Sequence, residues 1–105
     1  MEKRVVITGL GAVTPVGIGK ENFYNALLAG QSGIGPITRF DASDYATRIA
    51  GEVKDFDITN YGVEKKEARR MDRSVEFAIG AAVLACEDAD LDLDKADLDR
   101  CGTVV

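Results

Sequence analysis

The stretch VVITGLGAVTP, residues 5–15, carries the strongest signal for the fold. Its first three residues form a continuous apolar run of β-branched side chains, which is typical of a strand covered on both faces of a sheet. We therefore predict an inner strand over residues 4–8. Gly9 and Gly11 follow this strand, and they could either hold a phosphate group or serve the backbone alone.

The glycines do not fit a nucleotide-binding loop. A dinucleotide fingerprint needs G-x-G-x-x-G directly before a helix, and its third glycine position is Thr14 here. Pro15 follows, which removes an amide donor and disfavours helical geometry at Thr14, and the next helix signal begins only at Lys20. We therefore prefer a tight turn in which backbone passes close to backbone, with Gly9, Gly11 and Pro15 as its structural residues. A nucleotide-binding domain is the alternative.

Composition narrows the classes of function. The 105 residues, 46% hydrophobic and 30% charged, are typical of one soluble globular domain. The sequence has no histidine, which removes the commonest general base and metal ligand. Its cysteines, Cys86 and Cys101, lack a metal-binding spacing, so we expect neither a disulfide nor a metal site. The net charge of −5 argues against nucleic acid as a partner. No apolar run suits a membrane span or a signal peptide, and we expect a cytoplasmic protein.

Further elements alternate along the chain. Residues 20–29 are predicted to form a helix, with Gly30 at its C-terminal end. RIAGEV, residues 48–53, could form a short strand, and a long helix is predicted over residues 64–89. CGTVV, residues 101–105, begins another apolar strand. This order predicts an α/β layered fold. Because the chain stops inside an apparent strand, we expect it to be part of a longer protein.

The start of the long predicted helix is basic in an otherwise acidic chain. At about 100° per residue, its bases fall within an arc of about 140° and lie opposite an apolar stripe. This basic ridge consists of Lys65, Lys66, Arg69, Arg70 and Arg73. The apolar stripe consists of Ala68, Met71, Val75, Ala78, Ile79, Ala82, Cys86 and Ala89. The ridge is explained either as a solvated helix face or as a docking site for an acidic partner.

Five phrases occur in a characteristic order and spacing: RVVITGLGAVTPVG, ALLAGQSGI, FDASDY, AGEVKDFD and KKEARRMDR. Together they resemble the N-terminal part of the β-ketoacyl-acyl carrier protein synthases, and most of all the type II elongating enzymes of bacterial fatty-acid synthesis. The likeness covers essentially the whole chain. A segment of a polyketide ketosynthase is an alternative within this resemblance. A non-catalytic module that binds an acidic partner is an alternative from a different class.

The resemblance implies a thiolase fold, an αβαβα sandwich of two similar halves, each with a mixed five-stranded sheet. Residues 1–105 would then form the N-terminal portion of the first half, with its sheet incomplete. The implied enzyme is a homodimer that condenses an acyl thioester with malonyl carrier protein, with loss of CO₂, through a cysteine nucleophile and two histidines.

The family's catalytic residues lie beyond this segment. Neither Cys86 nor Cys101 matches the nucleophile, so we expect the segment to supply no catalytic residue and to be inactive alone. No cofactor is implied, because the substrates are carried on the phosphopantetheine of acyl carrier protein. The resemblance also implies that this acidic protein docks on the basic ridge, where Lys66, Arg69 and Arg70 match best.

Overall fold

The computed structural model describes residues 2–105, which combine helices with short antiparallel ladders. The strands are β1 (Val13–Thr14), β2 (Gly17–Ile18), β3 (Ile34–Pro36) and β4 (Ile49–Gly51). The α-helices are α1 (Lys20–Leu28), α2 (Lys65–Ala68) and α3 (Arg73–Asp88). Short 3-10 helices span Ile58–Tyr61 and Leu98–Arg100. This mixed α/β content agrees with the predicted fold class.

Strands β1 and β2 form a tight hairpin around Pro15. Val13 pairs with Ile18 and Thr14 with Gly17, so Pro15 and Val16 make the connection. The Thr14 hydroxyl donates to the Gly17 carbonyl at 2.7 Å across the turn. Pro15 thus lies in the turn that the sequence indicated.

Gly9 and Gly11 lie before this hairpin, so the prediction that they form the turn is corrected. They lie where the N-terminal segment crosses helix α3. A Cβ atom added at Gly9 would lie 2.3 Å from the Ala85 carbonyl oxygen, and one added at Gly11 would lie 2.0 Å from that of Ala81. Glycine is therefore required for the close approach of two backbones. The expectation that backbone passes close to backbone at these glycines is confirmed.

Strands β3 and β4 form an antiparallel ladder, with Gly35 opposite Ala50 in its centre. The strand predicted in RIAGEV is therefore confirmed, although its extent is shorter. The Glu52 carboxylate follows β4 and accepts hydrogen bonds from the hydroxyl and amide of Thr38 and from the amide of Arg39. These bonds, the Thr38 hydroxyl first, hold the pKa of Glu52 below its ordinary value.

Helix α1 confirms the prediction over residues 20–29. It ends in a Schellman motif, in which Gly30 has a φ of 68° and donates to the Leu27 carbonyl at 3.1 Å. Helix α3 ends in the same way, but Asp90 occupies the left-handed position with a φ of 51°. Its amide donates to the Glu87 carbonyl at 3.1 Å.

The two strands predicted at the ends of the chain are absent from the described residues. Val5, Val6 and Ile7 are 95%, 72% and 82% exposed, and no strand among residues 2–105 pairs with them. Residues 101–105 likewise form no strand, and Val104 is fully exposed. A β-branched run becomes a strand only when a neighbour satisfies its amides and carbonyls.

The predicted long helix is broken into α2 and α3. Helix α2 closes with 3-10-type bonds, from the Arg70 amide to the Glu67 carbonyl and from the Met71 amide to the Ala68 carbonyl. Asp72 is then extended, with φ −72° and ψ 152°, and its carbonyl accepts the first amides of α3. The Asp72 side chain makes no capping hydrogen bond within residues 2–105, so the break rests on this extended backbone at Asp72.

Phe56 forms the centre of the packed part of the chain. It is 7% exposed, its ring lies 5.5 Å from that of Phe77 and 5.3 Å from that of Tyr61, and it packs against Gly80. The predicted apolar stripe is only partly covered within residues 2–105, since Val75 is 44% exposed. Other described segments approach α3 at Gly80, which meets Phe56, and at Ala81 and Ala85, which meet the N-terminal segment.

The chain is less compact than a single globule of its length. Its radius of gyration is 17.1 Å, whereas about 13 Å is typical for a compact domain of this size. The buried hydrophobic residues are Ala26, Ala42, Phe56 and Ile58. None of the helices in residues 2–105 is long and apolar enough to cross a membrane.

Candidate docking surface

The basic segment begins at a short 3-10 helix, Ile58–Tyr61, that Asp57 caps. The Asp57 carboxylate accepts from the Thr59 hydroxyl at 2.7 Å and from the Thr59 amide at 2.9 Å. These bonds, the hydroxyl first, together with the positive charge of Lys65, hold the pKa of Asp57 below its ordinary value. Gly62, with a φ of 84°, then reverses the chain into α2.

Four basic side chains of this segment project into solvent. They are Lys65, Lys66, Arg69 and Arg70, and we call them the basic patch. Within residues 2–105, none of the four forms an ion pair with a carboxylate. Exposed cations that are not paired within their own chain remain free to attract an acidic surface.

The fifth predicted docking residue, Arg73, lies apart from the basic patch. It is the first residue of α3, its side chain is 29% exposed, and its guanidinium lies 4.8 Å from the Phe77 ring centroid and 5.6 Å from that of Phe56. Its terminal nitrogens donate to the carbonyls of Phe56 at 3.2 Å and Val53 at 3.3 Å, and one of them also pairs with Glu76 at 3.2 Å. The predicted ridge of five bases on one helix face is therefore wrong in its geometry, because the helix breaks between Arg70 and Arg73.

The two cysteines lie in different surroundings. Both are free: Cys86 is half-buried on α3, and Cys101 is exposed with its thiol donating to the Asp97 carbonyl at 3.3 Å. The chain contains no histidine that could activate either thiol. Residues 2–105 also hold no group of three or more acidic, cysteine or histidine side chains placed to share a metal ion.

A charged contact that the sequence did not predict lies at the other end of α3. The Asp88 carboxylate pairs with Lys20 at the start of α1 and accepts the Leu10 amide at 2.9 Å. Lys20 first, and the Leu10 amide second, hold the pKa of Asp88 below its ordinary value. This contact links the N-terminal segment, α1 and α3. Leu10 and Asp88 lie 78 residues apart, so local sequence patterns carried no signal for it.

Comparison with solved structures defines the class of the fold. A structure described as the ishigamide ketosynthase/chain length factor matches 85% of this chain with a TM-score of 0.74 and 37% sequence identity. The match covers 22% of that chain. The matched part of the chain thus has the fold of a ketosynthase segment.

The family follows from the sequence comparisons. The model of the β-ketoacyl synthase N-terminal domain matches residues 2–105, and the chain belongs to this family. The resemblance drawn from the five sequence phrases is therefore confirmed.

Similar relatives are named 3-oxoacyl-[acyl-carrier-protein] synthase 2. Those of Synechocystis sp. and Vibrio harveyi are 50% and 44% identical over 104 residues, and that of Staphylococcus aureus strain COL is 47% identical over 100 residues. These alignments cover 99%, 99% and 95% of this chain, but only 25%, 25% and 24% of the relatives. The chain therefore spans about a quarter of the length of the curated relatives it matches.

Proposed function

We propose that residues 1–105 are the N-terminal portion of an elongating β-ketoacyl-acyl carrier protein synthase and provide its carrier-protein docking surface. The names of the relatives support the enzyme class. The observation that carries the role of this segment is the basic patch, four exposed cations with no carboxylate partner among residues 2–105, in a chain of net charge −5.

The proposed reaction divides between this segment and the remainder of the enzyme. A cysteine outside residues 1–105 takes the acyl chain from its carrier protein as a thioester, and the phosphopantetheine thiol of that carrier leaves. Malonyl carrier protein loses CO₂, and the carbanion that forms attacks this thioester, making the new carbon–carbon bond and releasing the cysteine. We propose that these steps take no nucleophile, general base or oxyanion donor from residues 1–105. Their contribution is to hold the acidic carrier protein while its phosphopantetheine delivers the substrate.

We further propose that the longer protein completes the mixed five-stranded sheet of a thiolase-like half. The exposed run Val5–Val6–Ile7 supports this, because its amides and apolar side chains require a partner strand and a covering layer. The resemblance also leads us to propose a cytoplasmic homodimer that uses no cofactor of its own.

A polyketide ketosynthase is the second candidate. The structural likeness to the ishigamide ketosynthase/chain length factor favours it, at 37% identity. The higher identity to fatty-acid-type relatives, up to 50%, supports the first candidate more strongly. Both would form a 3-oxoacyl product, and they differ in whether its 3-oxo group is reduced before the next extension or is kept as part of a polyketide.

The experiment that tests this function uses the full-length gene product that contains residues 1–105. Saturated acyl carrier protein and malonyl carrier protein are supplied, and 3-oxoacyl carrier protein is measured by mass spectrometry. We expect turnover by the full-length protein, and equally by its Cys86→Ser/Cys101→Ser variant. No turnover with these substrates would contradict the fatty-acid assignment, and loss of turnover in the double variant would contradict the claim that this segment holds no nucleophile.

A further inference from the structure

The role of Arg73 differs from that of the basic patch, although both lie in the same run of sequence. The patch side chains are exposed, whereas the Arg73 guanidinium lies beside the contacting rings of Phe56 and Phe77 and donates to two backbone carbonyls. We propose that Arg73 is a positioning residue, which closes the chain segment from Val53 to Arg73 and so fixes the basic patch for its acidic partner. This inference rests on the proposed docking function.

The contacts of Arg73 join the two ends of the segment from Val53 to Arg73. Its hydrogen bond to the Val53 carbonyl spans 20 residues, and the bond to the Phe56 carbonyl spans 17. Between these ends lie the 3-10 helix Ile58–Tyr61, helix α2 and the whole basic patch. The Arg73 side chain thus connects the two ends of the segment that carries the basic patch.

Other contacts that hold this segment are few. Helix α2 has only four residues and no buried side chain, so it cannot be stable by itself. The 3-10 helix is anchored by buried Ile58 and by the packing of Tyr61 on Phe56. The Arg73 contacts act together with these to hold the segment.

Arginine is specifically suited to these contacts. Its planar fork donates to two carbonyls at once while its face stacks on aromatic rings, whereas a lysine ammonium is a single compact charge. Glu76, which is only 16% exposed, pairs with one terminal nitrogen at 3.2 Å and offsets the charge. The positive charge of Arg73 is therefore already engaged within the chain and is not available to a partner.

Substitution by lysine separates positioning from direct docking. In the full-length protein, affinity for acyl carrier protein is measured against salt concentration for Arg73→Lys and Arg73→Met. We expect both variants to bind about 3- to 30-fold more weakly, with the slope of log affinity against log salt unchanged. A direct docking charge would instead leave Arg73→Lys close to the unaltered protein and reduce the slope in Arg73→Met. Arg100→Lys, at an exposed arginine outside the segment, is the matched control and is expected to bind normally.

Hydrogen exchange provides a readout that does not need the partner. In Arg73→Lys the amides of residues 58–68 should exchange faster, while those of α1 keep their protection. Glu76→Gln is a milder variant in case the Arg73 variants fold poorly, and it should shift affinity and exchange in the same direction.

Each outcome decides the matter. Unchanged affinity in Arg73→Lys overturns the proposal, and so does a lowered melting temperature with unchanged affinity, which would show a purely structural role. If the unaltered protein has no affinity for acyl carrier protein, the proposed function fails. In that case the exchange of residues 58–68 still shows whether Arg73 holds the segment, and unchanged exchange would overturn that as well.

Discussion

The crossing of the N-terminal segment over α3 provides the sharpest structural prediction. Gly11→Ala would place a Cβ atom 2.0 Å from the Ala81 carbonyl oxygen and 2.7 Å from the Ala85 amide nitrogen. Real Cβ atoms essentially never come closer than 3.0 Å to such a neighbour, so the two backbones must separate by about 1 Å or more. Both obstructing atoms belong to the helix backbone and cannot swing away as a flexible side chain could.

The cost follows from overpacking against a rigid neighbour. Overpacking costs about 1–3 kcal/mol and occasionally more, and the upper end applies here. Replacing glycine also restricts the unfolded chain, which returns about 0.4–1 kcal/mol. We therefore expect a net loss of about 2 kcal/mol in the stability of this contact. The Leu10 amide would also be drawn away from Asp88, its acceptor at 2.9 Å.

Native-state hydrogen exchange of the full-length protein measures this loss locally. A change of about 2 kcal/mol corresponds to an increase of roughly 30-fold in the exchange rate of α3 amides that open with the contact. Gly35→Ala is the matched control, because a Cβ there meets nothing within 4 Å, and its exchange rates should stay the same or fall slightly. If Gly11→Ala exchanged like Gly35→Ala, the close approach of the two backbones would be wrong.

Three further predictions concern packing, charge and helix ends. Phe56→Ala should destabilise the folded protein by about 3 kcal/mol, because Phe56 is 7% exposed. Phe40→Ala, at a residue that is 56% exposed, should cost under about 1 kcal/mol. Equal melting temperatures for the two variants would contradict the packing around Phe56. The pKa of Asp88 is lowered from 3.8, so its contribution to stability is present above that pH and is lost as pH falls through the lower folded value. Asp88→Asn should therefore destabilise at pH 7 and flatten the acid limb of the stability curve, and an acid limb identical to that of the unaltered protein would contradict the role of this contact. Asp90→Gly should stabilise by about 0.5–1 kcal/mol, since glycine adopts a φ of 51° without steric cost, and an unchanged or lower melting temperature would argue against the left-handed cap.

Elements with a local signal could be predicted from the sequence. Helix α1 was found because its apolar spacing ends at Gly30, and the structure places that residue in the left-handed conformation of a helix cap. The strand in RIAGEV and the exposure of Lys65, Lys66, Arg69 and Arg70 depend on composition close by in the chain. The family could also be predicted from the sequence, because the order and spacing of five short phrases can be recognised without knowing the fold.

Features set by distant contacts could not be predicted. The apolar periodicity continues through Asp72, so it does not predict that the Arg73 side chain bonds to Val53 and Phe56. These residues lie 20 and 17 positions earlier in the chain. Val5 to Ile7 have strong β-propensity, but a strand also needs a pairing neighbour, and none lies among residues 2–105. The purpose of Gly9 and Gly11 likewise depended on a helix about 70 residues further along the chain.

The most direct test of the central claim is the affinity of the full-length protein for acyl carrier protein after charge reversal in the basic patch. Arg69→Glu/Arg70→Glu is compared with Lys54→Glu/Arg100→Glu, which makes the same change of charge at exposed positions outside the patch. We expect the patch variant to bind at least about tenfold more weakly and to show a smaller dependence on salt, because direct attraction between the two surfaces is lost. The control should bind like the unaltered protein. Equal affinities and equal salt slopes in all three proteins would contradict the assignment of this surface to carrier-protein docking.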